Sequence, residues 1–307
     1  MDITRDFVGY AGQPPKVVWP GGARLAVSIV INYEEGAEKS IALGDDEDEV
    51  LGEWGGYSFP KGVRNVTMES ITEYGSRVGV WRLLRILERH SVRATFFASA
   101  VALERNAAAA HAIIEGGHEV ACHGYKWEDH VGLTHEEERS RIAVAVASME
   151  ATTGVRPYGW YGRNGLTPYT REALVDAGFL YDSNDYSEDL PYYVRVQDRA
   201  HLVVPYTADV NDVRWWTSPG FATTDQFVTY MKDTFDCLLA ESETVSMFMS
   251  VGLHLRISGR PGRALALDRF LSYASQIPGV WFCRRDELAR WWLAEAPPSV
   301  DNLLPIR

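Results

Sequence analysis

Two adjacent glutamates, Glu34 and Glu35, end the apolar run LAVSIVINYEEG at residues 25–36. His123, Arg163 and His254 lie far along the chain in comparable places, each at the end of an apolar stretch, and Asp182 and Asp185 follow another. Carboxylates and imidazoles together do acid–base work: one takes a proton from water, the other delivers one to a leaving group. The same residue types also make mononuclear metal centres. Neighbouring strand residues point to opposite faces, so Glu34 and Glu35 are expected to hold different jobs.

Each position also has a plain structural explanation. The glutamate pair can open a solvated loop, His123 can be an ordinary strand-end histidine, and Arg163 can lie exposed in its Gly-Arg-Asn-Gly turn. Asp182 and Asp185, in YDSNDYSEDLPY, can cap backbone amides. His254 resists such an account, because nine uncharged residues precede it and an idle polar group there is costly. His90, His111 and His135 fall on helices or at their ends and are read as structural.

The elements that must position these residues alternate. Strands are expected at 25–33, 93–99, 118–122, 158–161, 179–181, 201–204, 245–253 and 280–283. Helices are expected at 74–90, 101–115, 134–153, 168–177, 224–240, 262–276 and 285–294, that at 134 opened by a threonine with a glutamate three residues on. About seven strands separated by helices, with no dinucleotide-type glycine loop, predict an α/β fold, a single irregular (β/α)7-type barrel. An open doubly wound sheet is the alternative. Strand ends scattered through such a chain become neighbours around one mouth.

At 307 residues, with no Ser/Gly-rich linker, the chain reads as one domain over 1–307, with an N-terminal arm (1–22) and a long insertion (37–73). The insertion carries an acidic run at 45–49 and the Trp54-Gly-Gly-Tyr57 turn, and is expected to border the pocket or an oligomer contact. Thirty basic against forty-two acidic side chains leave a formal charge of −12, which repels nucleic acid and anionic lipid. No nucleic-acid or membrane partner is therefore expected. The charged N-terminus does not read as a signal peptide, and Cys122, Cys237 and Cys283 read as reduced thiols of a cytoplasmic protein. The aromatic segment ELARWWL fits either a homo-oligomer contact or core packing.

A metal needs about three protein ligands. One helical turn beyond His123 stands Trp127, whose indole cannot ligate, and Glu35 with His123 is an incomplete set. His130 or His118 would complete it only with an irregular local backbone. No cofactor is expected, with zinc as the alternative.

NYEEG, HGYKW, YGRNG and VGLH resemble the motifs of the polysaccharide deacetylase superfamily, where a first-strand aspartate pair supplies base and metal ligand and two spaced histidines complete the site. The glutamate pair, Trp127 in place of the second histidine, and the segments GWYGR, GFLYDS, VGLHLRISGRP and VWFCRRDELARWW resemble its branch of cofactor-independent allantoinases. The likeness runs over 19–292. It implies hydrolysis of a carbonyl–nitrogen bond in a small cyclic ureide or amide, with Glu34 as general base and His254 as acid. Arg163 either orients Glu34 or faces the oxyanion. Glu35, His123 and Asp185 would bind the substrate edge, and Trp127 with Trp160 or Tyr161 would wall a planar ring. A metal-dependent polysaccharide or peptidoglycan N-deacetylase, and a silent ureide- or sugar-binding barrel, are the alternatives.

Overall fold

The longest strand among the described residues is buried throughout: all nine residues of Leu25–Tyr33 are shielded from solvent. The computed structural model describes residues 5–50, 59–299 and 303–304. Among the described residues the strands are β1 Leu25–Tyr33, β2 Thr95–Ala98, β3 Glu119–Cys122, β4 Gly159–Trp160, β5 Tyr181–Asp182, β6 Tyr192–Val196, β7 Arg199–Val203, β8 Met247–His254, β9 Val280–Phe282 and β10 Leu303–Leu304. They form one curled sheet in the order β10-β6-β7-β5-β4-β3-β2-β1-β8, with β9 also on β1. Its pairings are parallel except β6 with β7.

The helices are α1 Val66–Tyr74, α2 Val80–Arg89, α3 Ala100–Arg105, α4 Ala107–Glu115, α5 His135–Thr153, α6 Thr170–Asp176, α7 Thr224–Glu241, α8 Leu255–Ser258, α9 Pro261–Ala274 and α10 Arg285–Glu295. This is an α/β fold with a curled, largely parallel sheet, the irregular barrel expected from the sequence.

Register explains the rim. Tyr33 pairs with Ala98, Ala98 with Cys122, Cys122 with Trp160, Trp160 with Asp182, and Asp182 with Val203. The next residue of each strand therefore lies at one level, which collects Glu34, His123 and Tyr161. On the other side of β1, His254 pairs with Asn32. Strands β7 and β8 do not pair, and the segment crossing between them is tied down by a bridge from Asn211 to Gly252. That segment carries a short 3-10 turn, Asp212–Trp215, and brings Asp212 to β8.

Several expected boundaries move. The insertion ends at Asn65, whose side chain caps α1 by accepting the Met68 N–H at 3.1 Å. No side chain of α1 is fully buried, so no apolar stripe marks it. It runs through a π-helical turn, Gly75–Gly79, into α2. The Trp54–Tyr57 turn lies outside the described residues. The helix expected over 101–115 breaks at Asn106, which caps α4 through the Ala109 N–H and donates to the Ser76 carbonyl. Strand β6 was not expected at all. The aromatic C-terminal helix serves the core: Trp292 is buried and lies 5.9 Å from the Trp19 ring.

Candidate active site

Glu34 is the centre of the rim and only 3% exposed. Its Oε1 faces His123 Nε2 at 3.2 Å and His254 Nε2 at 3.6 Å, and its Oε2 accepts from Arg256 Nη1 at 2.5 Å. His123 Nδ1 lies 2.5 Å from the Tyr161 carbonyl oxygen. A carbonyl only accepts, so that nitrogen carries the proton and Nε2 is turned to Glu34.

His254 is fixed in the same manner from the other side. Asp212 Oδ1 lies 2.7 Å from its Nδ1, while Asp212 Oδ2 accepts the His254 backbone N–H at 2.8 Å and the Ser258 hydroxyl at 2.6 Å. Asp212, fully buried, thus orients the ring and leaves Nε2 free for chemistry.

Glu35 points elsewhere, as strand alternation requires. Its Oε1 accepts the Arg256 backbone N–H at 2.9 Å and its Oε2 accepts the Glu34 backbone N–H at 3.1 Å. Burial raises both carboxyls. At Glu34 that effect is outweighed by Arg256, His254 and His123, which hold the group well below the ordinary glutamate range. At Glu35 burial prevails over Arg256, and the Glu34 charge adds to it, so the carboxyl is pushed up to about 7. Burial lowers His254, but Glu34 and Asp212 together raise it above its usual value. The environment thus favours the ionised carboxylate of Glu34 and the protonated imidazole of His254, a base and an acid side by side.

Beside them stands an aromatic wall. Tyr161 lies 5.0 Å from the His123 ring, 4.8 Å from Phe97 and 5.0 Å from Tyr206. Tyr206 accepts from the Asn32 amide at 2.9 Å.

Other expected site residues sit elsewhere. Arg163 does not hold Glu34: its Nη1 pairs with Glu49 at 2.7 Å and with the Trp127 carbonyl at 3.0 Å, and its guanidinium stacks 3.8 Å over the Trp127 ring. The turn that carries it aims it at the insertion, and Arg256 holds Glu34 instead. Trp160 packs in the core, 5.8 Å from both Phe179 and His130, because alternation turns it away from the face Tyr161 lines. Asp185 caps a turn, accepting the Ser187 N–H at 2.9 Å, with Arg171 at 4.0 Å. Asp182 is bound by Arg171 at 3.0 Å and His201 at 3.1 Å. His130 pairs with buried Glu138 at 3.2 Å, and His118 accepts the Ala94 N–H at 3.0 Å.

Sequence reasoning missed Asp212 and Arg256. Arg256 carried a signal, two residues beyond His254 in HLR. Asp212 carried none, lying in an irregular crossing segment.

The sequence signature described as Polysaccharide deacetylase matches residues 62–181. A Schizosaccharomyces pombe protein named "Putative polysaccharide deacetylase" is 37% identical over 97% of this chain and 99% of its own length. The chain belongs to the polysaccharide deacetylase family. The solved structure of a probable polysaccharide deacetylase from Pseudomonas aeruginosa PAO1 superimposes with a TM-score of 0.92 at 44% identity, over 97% of this chain and 100% of that one. PuuE allantoinase does so with a TM-score of 0.92 at 42% identity, over the same shares of the two chains. Membership of the allantoinase-like branch of the family is thereby supported.

The metal site that the family implies does not fit these residues. Trp127 occupies the second-histidine position with its ring against two arginines, Arg163 and Arg256. Both Glu35 oxygens accept backbone N–H groups, and a guanidinium lies between the two glutamates. Among the described residues no group of three or more His, Cys, Asp or Glu side chains is arranged to hold a metal ion.

Proposed function

We propose that this protein hydrolyses a ring carbonyl–nitrogen bond of a cyclic ureide or closely related cyclic amide, with a water activated by Glu34. The observation that carries the reading is the single oxygen, Glu34 Oε1, facing both His123 Nε2 at 3.2 Å and His254 Nε2 at 3.6 Å, with His254 locked by Asp212. The likeness to PuuE allantoinase supports the substrate class.

Glu34 accepts a proton from water as its oxygen adds to the ring carbonyl. His254, protonated, gives its Nε2 proton to the departing ring nitrogen, and the carbon–nitrogen bond breaks. The proton held on Glu34 passes across to His254 and resets both groups. The products are an open-chain acid and a ureido or amide N–H, so one water is consumed per bond. His123, its Nδ1–H held by the Tyr161 carbonyl, presents Nε2 beside Glu34 to a donor on the substrate edge, and Tyr161 gives a flat face for a planar ring. Glu35, whose two oxygens accept the Glu34 and Arg256 backbone N–H groups, holds the frame around Glu34 and not the ureide edge first expected of it. No step passes through a metal.

The buried Cys122 and Cys283 and the exposed Cys237, all free thiols, support a reducing compartment, the cytoplasm. No helix among the described residues is long and apolar enough to cross a membrane. A homo-oligomer belongs to the same proposal.

The test is a substrate screen on purified protein, before and after dialysis against chelator and with zinc added back. Hydantoins and cyclic imides are expected to be opened equally in every condition. Turnover of N-acetylated sugars alone, or activity lost to chelator and restored by zinc, would overturn the reading.

A further inference from the structure

The misfit between the donor set and a metal has a positive counterpart. Arg256 is buried, 4% exposed, and two residues beyond His254 the chain turns into α8 so that both its backbone N–H and its side chain reach the glutamate pair. Nη1 lies 2.5 Å from Glu34 Oε2 and 3.4 Å from Glu35 Oε1, and the backbone N–H donates to that same Glu35 oxygen at 2.9 Å. The guanidinium carbon lies 5.0 Å from the centre of the Trp127 ring and 5.3 Å from that of Trp216. Gly75 presses in from the π-helical turn, where even a methyl group would come within 2.6 Å of Glu35 Oε1 and 2.8 Å of the Arg256 nitrogen.

A buried cation must be paired and desolvated by groups that favour it, and both conditions are met. Two carboxyls supply the pairing. Two indoles supply flat faces whose quadrupoles attract a cation while excluding water. An indole at position 127 cannot serve a metal, but it suits a guanidinium.

We propose that Arg256, boxed by Trp127 and Trp216, is the resident cation of the site: it takes the electrostatic place of a divalent metal between Glu34 and Glu35, so that the arginine and a metal exclude one another. Arg256 acts through Glu34 and is a positioning residue. Its effect on turnover rests on the hydrolase reading; the exclusion of metal does not.

The experiment uses cobalt(II) as probe, because its visible absorption reports a protein site without turnover. Wild type, R256A, R256M and R256K are titrated with cobalt after circular dichroism has shown which variants fold. R256A and R256M are expected to bind cobalt at least tenfold more tightly than wild type, and R256K, which keeps the charge, to stay near wild type. Equal cobalt affinity in wild type and the folded neutral variants would overturn the proposal.

With a cyclic amide that wild type opens, R256A is expected to lose at least 100-fold in kcat. The acid limb of its kcat/KM profile is expected to rise toward ordinary glutamate values, and millimolar guanidinium to restore part of the rate. An unchanged profile with full activity in R256A would overturn the positioning role and leave the hydrolase reading standing. A wild type that opens no cyclic amide would remove the hydrolase reading, and the cobalt titration would still decide the exclusion.

Discussion

Asp212 Oδ1 and His254 Nδ1 lie 2.7 Å apart, both buried, and the same carboxylate also accepts the backbone N–H of His254. The aspartate therefore fixes the ring from two directions and adds negative charge beside it. Burial lowers the imidazole, and Glu34 with Asp212 raises it by more. Without the aspartate the balance falls back.

D212N is accordingly expected to lower kcat by about 100-fold, within the range a positioned acid supplies. The alkaline limb of kcat/KM, where the acid loses its proton, moves to lower pH. A pH–rate profile checks this; a limb that stays in place would show that His254 is not the acid.

Glu35 gives a stability prediction. Burial, with the Glu34 charge added, pushes its carboxyl up to about 7 from an unfolded value near 4.5. A raised carboxyl contributes stability that is complete below the unfolded value and is lost as pH rises through the folded one. The stability of wild type over E35Q should therefore shrink between pH 4 and pH 8, by roughly 3 kcal/mol. Urea unfolding at both pH values measures it.

Gly75 tests the close approach of the helix to the site. Alanine favours a helix by about 1 kcal/mol over glycine. Here its methyl would meet Glu35 Oε1 at 2.6 Å, and such overpacking costs about 1–3 kcal/mol. G75A is expected to lose stability and at least tenfold in kcat. Gly262, in α9, has nothing within 4 Å of an added methyl, so G262A should match or exceed wild-type stability at full activity. Thermal melts and initial rates of the two variants decide it.

Arg163 should behave as a support for Trp127 and the insertion. It pairs with Glu49 and stacks on Trp127, without a bond to Glu34. R163A is expected to raise KM about tenfold or more while kcat changes less. A kcat loss as large as that of R256A would restore to Arg163 the role first expected of it.

The rim was legible because it follows from strand polarity. A buried apolar run ending in Glu34-Glu35, and another ending in His254, can meet only at the carboxyl ends of a parallel sheet, and register then brings His123 and Tyr161 to the same level. Trp160 and Tyr161 show the limit of that logic. They are adjacent, and only the pairing of a two-residue strand decides which faces the pocket. Asp212 was hidden because it reaches His254 through a crossing segment with no period of its own. Arg163 misled because motif position gave it the task of holding the base, whereas contact geometry gives that task to Arg256, a residue whose partners lie 222 and 221 positions away. Helix α1 escaped because a helix with no buried side chain leaves no stripe in the sequence.

The account stands on Glu34 as the base that activates water. The most direct measurement is the rate at which purified E34Q opens a cyclic amide accepted by wild type, with its fold verified by circular dichroism. The account predicts a loss of at least 100-fold in kcat with native secondary structure retained; an E34Q protein that turns over at the wild-type rate would contradict it.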